Sequence, residues 1–310
     1  MPMIVRQTLR DAPGGTRAIA LGSFDGVHLG HQAVIERAVA VARERDLTAC
    51  VATFHPHPMT VLRPELVPRQ LSTIARRAAL IAELEVDELV LIRFDHTFSL
   101  LSADEFAEGV LAEGLGARHV VVGANFRYGN GARGDTRSLE ESGSRLGFTA
   151  EAAPLFEIGG SPVSSSRIRD LLAAGEVEQA AELLGRPAWV EGAVVRGDGR
   201  GRELGFATAN LAPSPRSALP AVGIYAGFGH LPGAQRPAAI SVGYNPTFSD
   251  SREQVRIEAH LLDFDADVYG SPIRLELTHR LRDEQRYGSV DELIAAVNAD
   301  IARVRTLTRT

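Results

Sequence analysis

Lysine is absent from the 310-residue sequence, so all 33 basic residues are arginines. A Walker-type phosphate loop requires a lysine in the motif GxxxxGK[ST], and that motif therefore cannot occur here. Any phosphate group must instead be bound by arginine, histidine, a hydroxyl group, backbone N–H groups or a metal ion. The formal net charge of −6 gives no indication of a nucleic-acid partner.

Cysteine and long apolar segments are also scarce. The single cysteine, Cys50, lies in the apolar run TACVATF, which predicts a buried core thiol in a reducing compartment. No run approaches the roughly 18–20 apolar residues that span a membrane, and the N-terminal segment lacks the apolar core of a secretion signal. We therefore expect a cytoplasmic protein with no membrane partner.

Two styles of hydrophobic pattern meet near residue 184. Before it, short β-rich runs alternate with amphipathic helical segments, which predicts a parallel sheet covered by helices. After it, short alternating runs separated by Gly, Pro, Ser and Asp predict an antiparallel barrel or sandwich, followed by one amphipathic C-terminal helix. We therefore expect two domains, residues 1–184 and 185–310, in agreement with the length of the chain.

The stretch GSFDGVHLGH places His28 and His31 on one face of a helix that begins after a glycine-rich turn. A metal site would need further ligands, for which His55 and His57 are the candidates. A phosphate site needs less, because a helix N-terminus offers unpaired N–H groups and histidine can donate hydrogen bonds. An ordinary capped helix with incidental histidines also stays open from this stretch alone.

Four motifs of the first half resemble, in order and spacing, the nucleotidylyltransferase part of bacterial bifunctional riboflavin kinases/FAD synthetases. They are GSFDGVHLGH at 22–31, TFHPHP at 53–58, VVGANFRYG at 121–129 and VSSSRIRDLL at 163–172. The resemblance implies a Rossmann-like α/β domain in which the phosphate of FMN attacks the α-phosphate of ATP and releases pyrophosphate. In the fourth motif, Ser166 stands where the family usually has threonine, which keeps the hydroxyl group.

The resemblance also implies roles for residues of this half. His28 and His31 would contact the ATP phosphates, and Asn125 would hold the reacting phosphates or the flavin nucleotide. Arg169 would close on the triphosphate, and His57 would lie near the FMN phosphate. The other residues expected to bind nucleotide are Gly22, Phe24, Asp25, Gly26, Ser164, Ser165 and Ser166.

The stretch GDGRGRELGFATANL, residues 197–211, is too rich in glycine and arginine for a core strand. Such a loop can turn its N–H groups toward phosphates, although a solvated turn is an equally good interpretation from these residues alone. Thr208 and Asn210 contribute a hydroxyl and an amide suited to Mg²⁺ and phosphate oxygens. Further on, alternation places Glu258 on the opposite strand face from Ile257, where a carboxylate is most often solvated.

Together with GIYAG, NPTF and LRDEQRYGSVDEL, these segments resemble the riboflavin kinase domain of the same family. The resemblance implies an antiparallel β-barrel with a C-terminal helix, in which Mg²⁺ and ATP serve to phosphorylate riboflavin. Glu258 would be the general base for the ribityl 5′-hydroxyl, and Thr208 and Asn210 would bind the metal. The loop residues expected to bind nucleotide are Gly199, Gly201, Arg202 and Gly205.

One departure from the family pattern leaves an alternative open. Ala207 replaces the proline of the family's PTAN, which loosens a loop by about 0.4–1 kcal/mol and corresponds to at most a several-fold effect. The leading prediction is a bifunctional enzyme that makes FMN and then FAD. The alternatives are a monofunctional FAD synthetase with a kinase-impaired, flavin-binding barrel, and a non-catalytic flavin-binding or regulatory protein. The phosphate-handling groups and Glu258 argue against the last, since a binding protein needs no general base.

Overall fold

A computed structural model describes residues 2–11, 14–197, 206–244 and 255–308 of the chain. These residues form two compact units, Met1–Ser165 and Ser166–Thr310. Among the residues so described, no helix combines the length and the apolar character needed to cross a membrane.

The first unit is built on a six-stranded parallel sheet, which confirms the predicted sheet type. In space the strands run β1-β4-β3-β2-β5-β6, so that β2 lies near the centre and β1 at one edge. The edge strand β1 is an addition that the hydrophobic pattern did not indicate. In chain order the six strands are β1 (Ile4–Arg6), β2 (Arg17–Leu21), β3 (Thr48–His55), β4 (Glu88–Arg93), β5 (Ala117–Gly123) and β6 (Thr149–Ala153).

Helices connect these strands, and a hairpin follows the sheet. The helices are α1 (Leu29–Glu44), α2 (Met59–Leu62), α3 (Ile74–Ala82), α4 (His96–Ser99), α5 (Ala103–Glu105) and α6 (Thr136–Leu146). Short 3₁₀ turns cover Leu9–Asp11, Pro64–Leu66 and Asn130–Ala132, and the hairpin consists of β7 (Glu157–Ile158) and β8 (Ser161–Pro162).

The helix that begins at α5 differs in type from the prediction. Its predicted serine cap is confirmed, since Ser102 Oγ accepts the Glu105 N–H at 3.2 Å and the Glu105 carboxylate accepts the Ser102 N–H at 2.8 Å. After α5, however, residues Phe106–Gly114 continue as a π-helix, with the Leu115 N–H bonded to the carbonyl of Val110 five residues earlier. Hydrophobic periodicity indicates a helical segment but does not resolve this hydrogen-bond register.

The core of the first unit lies between the sheet and its helices. All five residues of β2 are buried, as expected for a parallel strand covered on both faces. Cys50 is buried in the neighbouring strand β3 and forms no disulfide, which confirms the predicted core thiol. Burial disfavours its thiolate and raises the pKa of Cys50 to about 12.

A buried ionic cluster joins three strands at one end of this sheet. The Glu88 carboxylate on β4 accepts hydrogen bonds from Arg6 on β1 at 2.5 Å and from Arg17 on β2 at 2.8 Å. The Arg17 guanidinium also donates to the carbonyl of Leu115 at 2.8 Å. Burial opposes ionisation of Glu88, but the two arginines outweigh it and the pKa of Glu88 is lowered.

We expect Glu88→Gln to destabilise the protein by roughly 3 kcal/mol, because it leaves the buried Arg17 without a counter-charge. Thermal unfolding followed by circular dichroism should show a melting temperature lowered by roughly 10 °C. Since the folded-state pKa of Glu88 is lowered, its contribution is present above the ordinary glutamate pKa of 4.5 and is lost as pH falls through the folded-state value. The difference in melting temperature between Glu88→Gln and wild type should therefore become smaller at acidic pH.

The matched control for this prediction is Glu141→Gln. Glu141 pairs with Arg137 at 3.0 Å on an exposed helix surface, where an ion pair contributes at most about 1 kcal/mol. Equal melting temperatures for Glu88→Gln and wild type at neutral pH would contradict the assignment of a stabilising role to the buried cluster.

The second unit begins with two helices and continues as a barrel that ends in a long helix. Its six strands are all antiparallel and close in the order β10-β13-β12-β11-β14-β9, which decides for a barrel and against a sandwich. Its elements are α7 (Ser165–Ala174), α8 (Val177–Leu184), β9 (Ala188–Val195), β10 (Ala209–Pro213), β11 (Gly223–Leu231), β12 (Ala234–Tyr244), β13 (Val255–Leu261), β14 (Pro272–Arg282) and α9 (Val290–Leu307).

Strand β10 corrects one part of the sequence analysis. Residues 197–211 are too rich in glycine and arginine to suggest a strand, yet Ala209–Pro213 pairs with both β9 and β13. Ala209 and Leu211 are buried while Asn210 between them is half-buried, so the alternation is too short to stand out from the sequence around it.

Helices α7 and α8 are tied to the barrel of the second unit. The carbonyl of Leu172 accepts the Ala221 N–H at 2.9 Å, and the Glu178 carboxylate accepts the Arg280 N–H at 3.0 Å. The first compact unit ends at Ser165, the first residue of α7, so the rest of α7 and all of α8 belong to the second unit. The domain boundary at residue 184 stays a prediction.

The predicted C-terminal helix is confirmed as α9. It begins at the predicted serine cap, where Ser289 Oγ accepts the Glu292 N–H at 3.2 Å. The buried carboxylate of Asp300 on α9 accepts three hydrogen bonds from Arg282 of β14, the shortest 2.6 Å. Hydrogen bonding to Asp300 raises the pKa of Arg282, which stays charged and fixes the helix against the barrel.

Candidate active sites

Three of the motifs leave the carboxyl ends of neighbouring strands. GSFDGVHLGH follows β2, FHPHP lies at the end of β3, and ANFRYG follows β5. These strands are adjacent in the order β3-β2-β5, so the motifs meet at one edge of the sheet. The chain proceeds from β2 to β3 and β4 on one side, whereas β5 and β6 lie on the other, which makes the β2/β5 boundary the switch point where such sheets bind ligands.

His28 and His31 lie side by side at the start of α1, as predicted. Their rings stack with centroids 3.5 Å apart and an angle of 17° between the planes. His28 is the N-cap of this 16-residue helix, and its Nδ1 accepts the His31 N–H at 3.2 Å. Because Nδ1 is an acceptor, the proton of a neutral His28 is on Nε2. The site therefore combines a hydrogen-bond donor with the positive end of a helix dipole.

The turn before α1 has an unusual backbone. Phe24 and Val27 both have positive φ, of 49° and 41°, and Gly26 between them has φ 84°. A positive φ is strained for a β-branched residue such as valine. At Gly26 a side chain would also collide with Leu71, whose Cδ1 would lie 2.9 Å from an added Cβ. Glycine is required there by both conformation and space.

Asp25 anchors this strained turn from within. Its carboxylate is buried and accepts hydrogen bonds from the backbone N–H groups of Leu71 and Ser72, each at 3.1 Å, and from Arg77 at 3.1 Å. Arg77 also donates to the carbonyl of Ser23 at 2.7 Å. Through these contacts Asp25 stabilises the turn before α1. Its predicted contact with nucleotide stays a prediction. The motifs do not indicate Arg77, whose only signal in the sequence is a charged residue on the buried side of α3.

The remaining predicted residues of this half occupy several elements. Asn125 is exposed just beyond β5, and His57 is half-buried after β3 with its Nδ1 accepting the Met59 N–H at 3.2 Å.

Ser165 Oγ donates to the carbonyl of Asp25 at 2.9 Å, which brings the fourth motif to the first. Gly22 follows β2 and packs against Phe24, and Ser164 is half-buried ahead of α7. Ser166 and Arg169 lie in α7, in the second compact unit.

On the barrel, Glu258 lies where the alternation predicts. Its neighbours Ile257 and Ala259 are each 1% exposed, whereas the Glu258 side chain is 25% exposed on the outer face. The strand register places Glu258 directly opposite Asn210 of β10 on one side and Ser241 of β12 on the other. The Glu258 carboxylate also forms an ion pair with Arg256, a partner that the motif did not indicate.

A pocket of about 310 Å³ lies next to β10 and β13, and its lining includes the buried residues Ala209, Ala259 and Leu261 but not Glu258. Thr208 and Asn210 line it, together with the end of β9 and the loop of residues 264–269. Gly197 belongs to the same lining, and any side chain there would overlap the Asn210 amide group. The glycine is therefore needed to leave the Asn210 side chain its place. The predicted loop residues Gly199, Gly201, Arg202 and Gly205 lie outside the described residues, as does the segment NPTF at 245–248.

A metal site of the zinc type does not emerge around the histidines. Over residues 2–11, 14–197, 206–244 and 255–308, no three or more His, Cys, Asp or Glu side chains are grouped as they would be to hold a metal ion. Thr208 and Asn210 offer neutral oxygen atoms instead, the donor type that suits Mg²⁺ bound jointly with phosphates.

Two family models match the chain and together cover most of it. The FAD synthetase model matches residues 12–167, and the riboflavin kinase model matches residues 184–308. The matches follow one another in the same order as the two structural units.

Relatives and a solved structure extend this similarity over nearly the full length. A bifunctional riboflavin kinase/FMN adenylyltransferase of Pseudomonas fluorescens is 38% identical over 287 residues, which cover 93% of this chain and 91% of the relative. The protein of the same name from Escherichia coli K12 is 36% identical over 296 residues, covering 94% and 93%. A crystal structure described as a macrolide-efflux protein of Streptococcus pneumoniae aligns with a TM-score of 0.88 at 30% identity, covering 98% of this chain and 99% of that one.

The description as an efflux protein applies to the Streptococcus pneumoniae protein alone. Both family models and both sequence relatives are named for enzymes that make FMN or FAD. Because each half of the chain matches one of the two families, and relatives named for both activities match 93–94% of it, the chain belongs to the bifunctional riboflavin kinase/FMN adenylyltransferase family, the enzymes that phosphorylate riboflavin to FMN and adenylylate FMN to FAD.

Proposed function

We propose that each reaction has its own site, with FAD formed at the β2/β5 edge of the parallel sheet and FMN formed on the outer face of the barrel. The observation that carries this division is the position of Glu258 directly opposite Asn210, a residue that lines the pocket together with Thr208. A base and two neutral oxygen donors are thus collected in one unit, and the histidine-lined helix start lies in the other.

At the sheet edge, the phosphates of ATP would lie against the start of α1. The Nε2 of His28 donates to a phosphate oxygen, and His31 and the helix dipole add to the favourable field. The FMN phosphate then attacks the α-phosphorus and pyrophosphate leaves. No covalent intermediate with the enzyme is needed, so the catalytic task is alignment and stabilisation of negative charge.

Other residues complete this adenylylation site in the proposal. Asn125, beyond β5, holds the reacting phosphates or the flavin nucleotide, and His57 lies near the FMN phosphate. Arg169 closes on the triphosphate, a task open to arginine alone among the long basic side chains because the chain has no lysine. The residues proposed to complete the nucleotide pocket are Gly22, Phe24, Asp25, Gly26, Ser164, Ser165 and Ser166.

On the barrel, Glu258 would accept the proton of the ribityl 5′-hydroxyl as that oxygen attacks the γ-phosphorus of ATP. The bond from the γ-phosphorus to the bridging oxygen breaks, and ADP leaves. A carboxylate that is 25% exposed on the outer face is suited to this task, because a bound substrate can reach it. The glycine-rich loop with Gly199, Gly201, Arg202 and Gly205 is proposed to cover the phosphates.

Mg²⁺ fits the donor atoms that this face presents. The hydroxyl of Thr208 and the amide oxygen of Asn210 are two residues apart, on either side of the inward-facing Ala209. These two residues would hold the ion together with phosphate oxygens. When bound, the ion neutralises charge on the transferred phosphoryl group and orients its oxygens.

The monofunctional alternative has no observation in its favour. The riboflavin kinase model matches residues 184–308, and Thr208, Asn210 and Glu258 are all present. Ala207 remains the departure that bears on the efficiency of the kinase. The cytoplasmic location stays a prediction.

The proposal is tested with purified protein, riboflavin, ATP and MgCl₂, with products separated by chromatography. We expect FMN and then FAD to accumulate, and both to disappear when EDTA is added in excess of the metal. FAD from supplied FMN without FMN from riboflavin would establish the monofunctional alternative instead. If neither FMN nor FAD forms, flavin binding is the only function left for this protein.

A further inference from the structure

The segment just before β10 carries Thr208 but lies outside the strand ladder. The register of β10 with β13 ends at the pair Ala209–Ala259. Thr208 is therefore one residue beyond the last ladder pair, and its backbone conformation must be held by other means. Ala207 precedes Thr208. Its side chain leaves the backbone angle φ of residue 207 unrestricted, whereas a proline at this position would fix φ.

His260 makes the contact that holds this segment. It is the residue of β13 next to Ala259, and it lies on the outer face with Glu258. Its Nδ1 is 2.9 Å from the carbonyl oxygen of Ala207. A carbonyl can only accept, so Nδ1 carries hydrogen and donates. The ring also packs edge-on against Phe206, with centroids 5.9 Å apart and an angle of 87°.

We propose that His260 is a positioning residue of the kinase site, which holds residues 206–207 so that Thr208 keeps its place in the lining of the pocket. This inference rests on the proposed function of Thr208. His260 acts through the backbone and needs no contact with the nucleotide. The hydrogen bond from His260 to the Ala207 carbonyl restricts the backbone at residue 207, which the alanine side chain does not do.

We expect His260→Ala to raise the KM for ATP in FMN formation by about three- to tenfold, the range of one neutral hydrogen bond. The kcat should change by less than about twofold, since the variant leaves Glu258 in place, and FAD formation from supplied FMN should be unchanged. His260→Asn should restore most of the lost affinity, because its side-chain N–H group lies close to the position of Nδ1. The matched control is His279→Ala, another half-buried barrel histidine, on a strand that pairs with neither β10 nor β13.

A second substitution distinguishes positioning from general stability. In the His260→Ala background, Ala207→Pro should recover at least about half of the lost affinity, since proline restricts the same residue by covalent means. In the wild-type background, Ala207→Pro should change the KM by less than about twofold.

The outcomes separate this inference from the proposed function. An unchanged KM for ATP in an active His260→Ala enzyme would overturn the inference, as would an equal loss of both activities. If His260→Ala fails to fold, as judged by circular dichroism, His260→Phe replaces it. That variant keeps the ring beside Phe206 but lacks the donor, so the raised KM should persist, and a normal KM would overturn the inference. Wild-type protein that forms no FMN would instead contradict the proposed function.

Discussion

Glu258→Gln should reduce the kcat of FMN formation by about 100-fold or more, while the rate of FAD formation from supplied FMN stays within about twofold of wild type. Removal of a general base typically lowers a rate by about 10²–10⁴-fold. Glutamine has nearly the same shape and can still accept a hydrogen bond from Arg256, so the loss would come from basicity rather than from packing. The two rates are measured separately, with riboflavin or FMN as the flavin substrate.

The matched control for Glu258 is Glu276→Gln. Glu276 is another half-buried carboxylate on the barrel surface, paired with His230 at 3.0 Å, and it lies on β14, which pairs with neither β10 nor β13. This variant should retain both activities. Loss of FMN and FAD formation to the same extent in Glu258→Gln, with the fold intact, would rule out the division into two sites.

The second large effect is expected at the start of α1. His28→Asn should lower FAD formation by about 100-fold or more and leave FMN formation unchanged, the reverse of the effect at Glu258. Asparagine is a favourable N-cap, and its side-chain oxygen can accept the His31 N–H as Nδ1 does. The variant therefore keeps the helix start and removes the Nε2 donor proposed to contact ATP. Adenylylation is measured with FMN and ATP, and helix integrity by thermal unfolding.

Two further variants sharpen this test. His28→Gln places an amide N–H group close to the Nε2 position and should retain more activity than His28→Asn, even though it caps the helix less well. His96→Asn alters an exposed histidine of α4 in the same unit and should have no effect. Full FAD formation by a folded His28→Asn enzyme would exclude His28 from the phosphate site.

The pattern of the sequence predicts the large architecture well because burial imposes it locally. Helical and strand periodicities each follow from one buried face, and they indicate the parallel sheet, the antiparallel second half and the capped helix α9. Shorter elements escape this reasoning. Strand β10 has only two buried positions within a glycine- and arginine-rich stretch, and the π-helix differs from an α-helix in hydrogen bonding rather than in hydrophobic pattern.

Motifs predict the chemistry of single residues, but they do not show what holds those residues in place. The glycine-rich turn and the two histidines are legible in GSFDGVHLGH, and their common helix face follows from a spacing of three. The anchoring of that turn by Arg77 and Ser72 comes from residues about 50 positions away in the chain. No local pattern contains such a contact, since it depends on the approach of α3 to the end of β2.

The sequence by itself therefore determined the fold class of each half, the absence of lysine from any phosphate site and the outward position of Glu258 on its strand, because these depend on residue type and on spacing along one element. Only the tertiary structure decided that Glu258 lies opposite Asn210, that Asp25 faces inward to Arg77 and that His260 reaches Ala207. Each of these is a pairing between strands or helices distant in the chain, and such pairings arise from strand register and packing rather than from local periodicity.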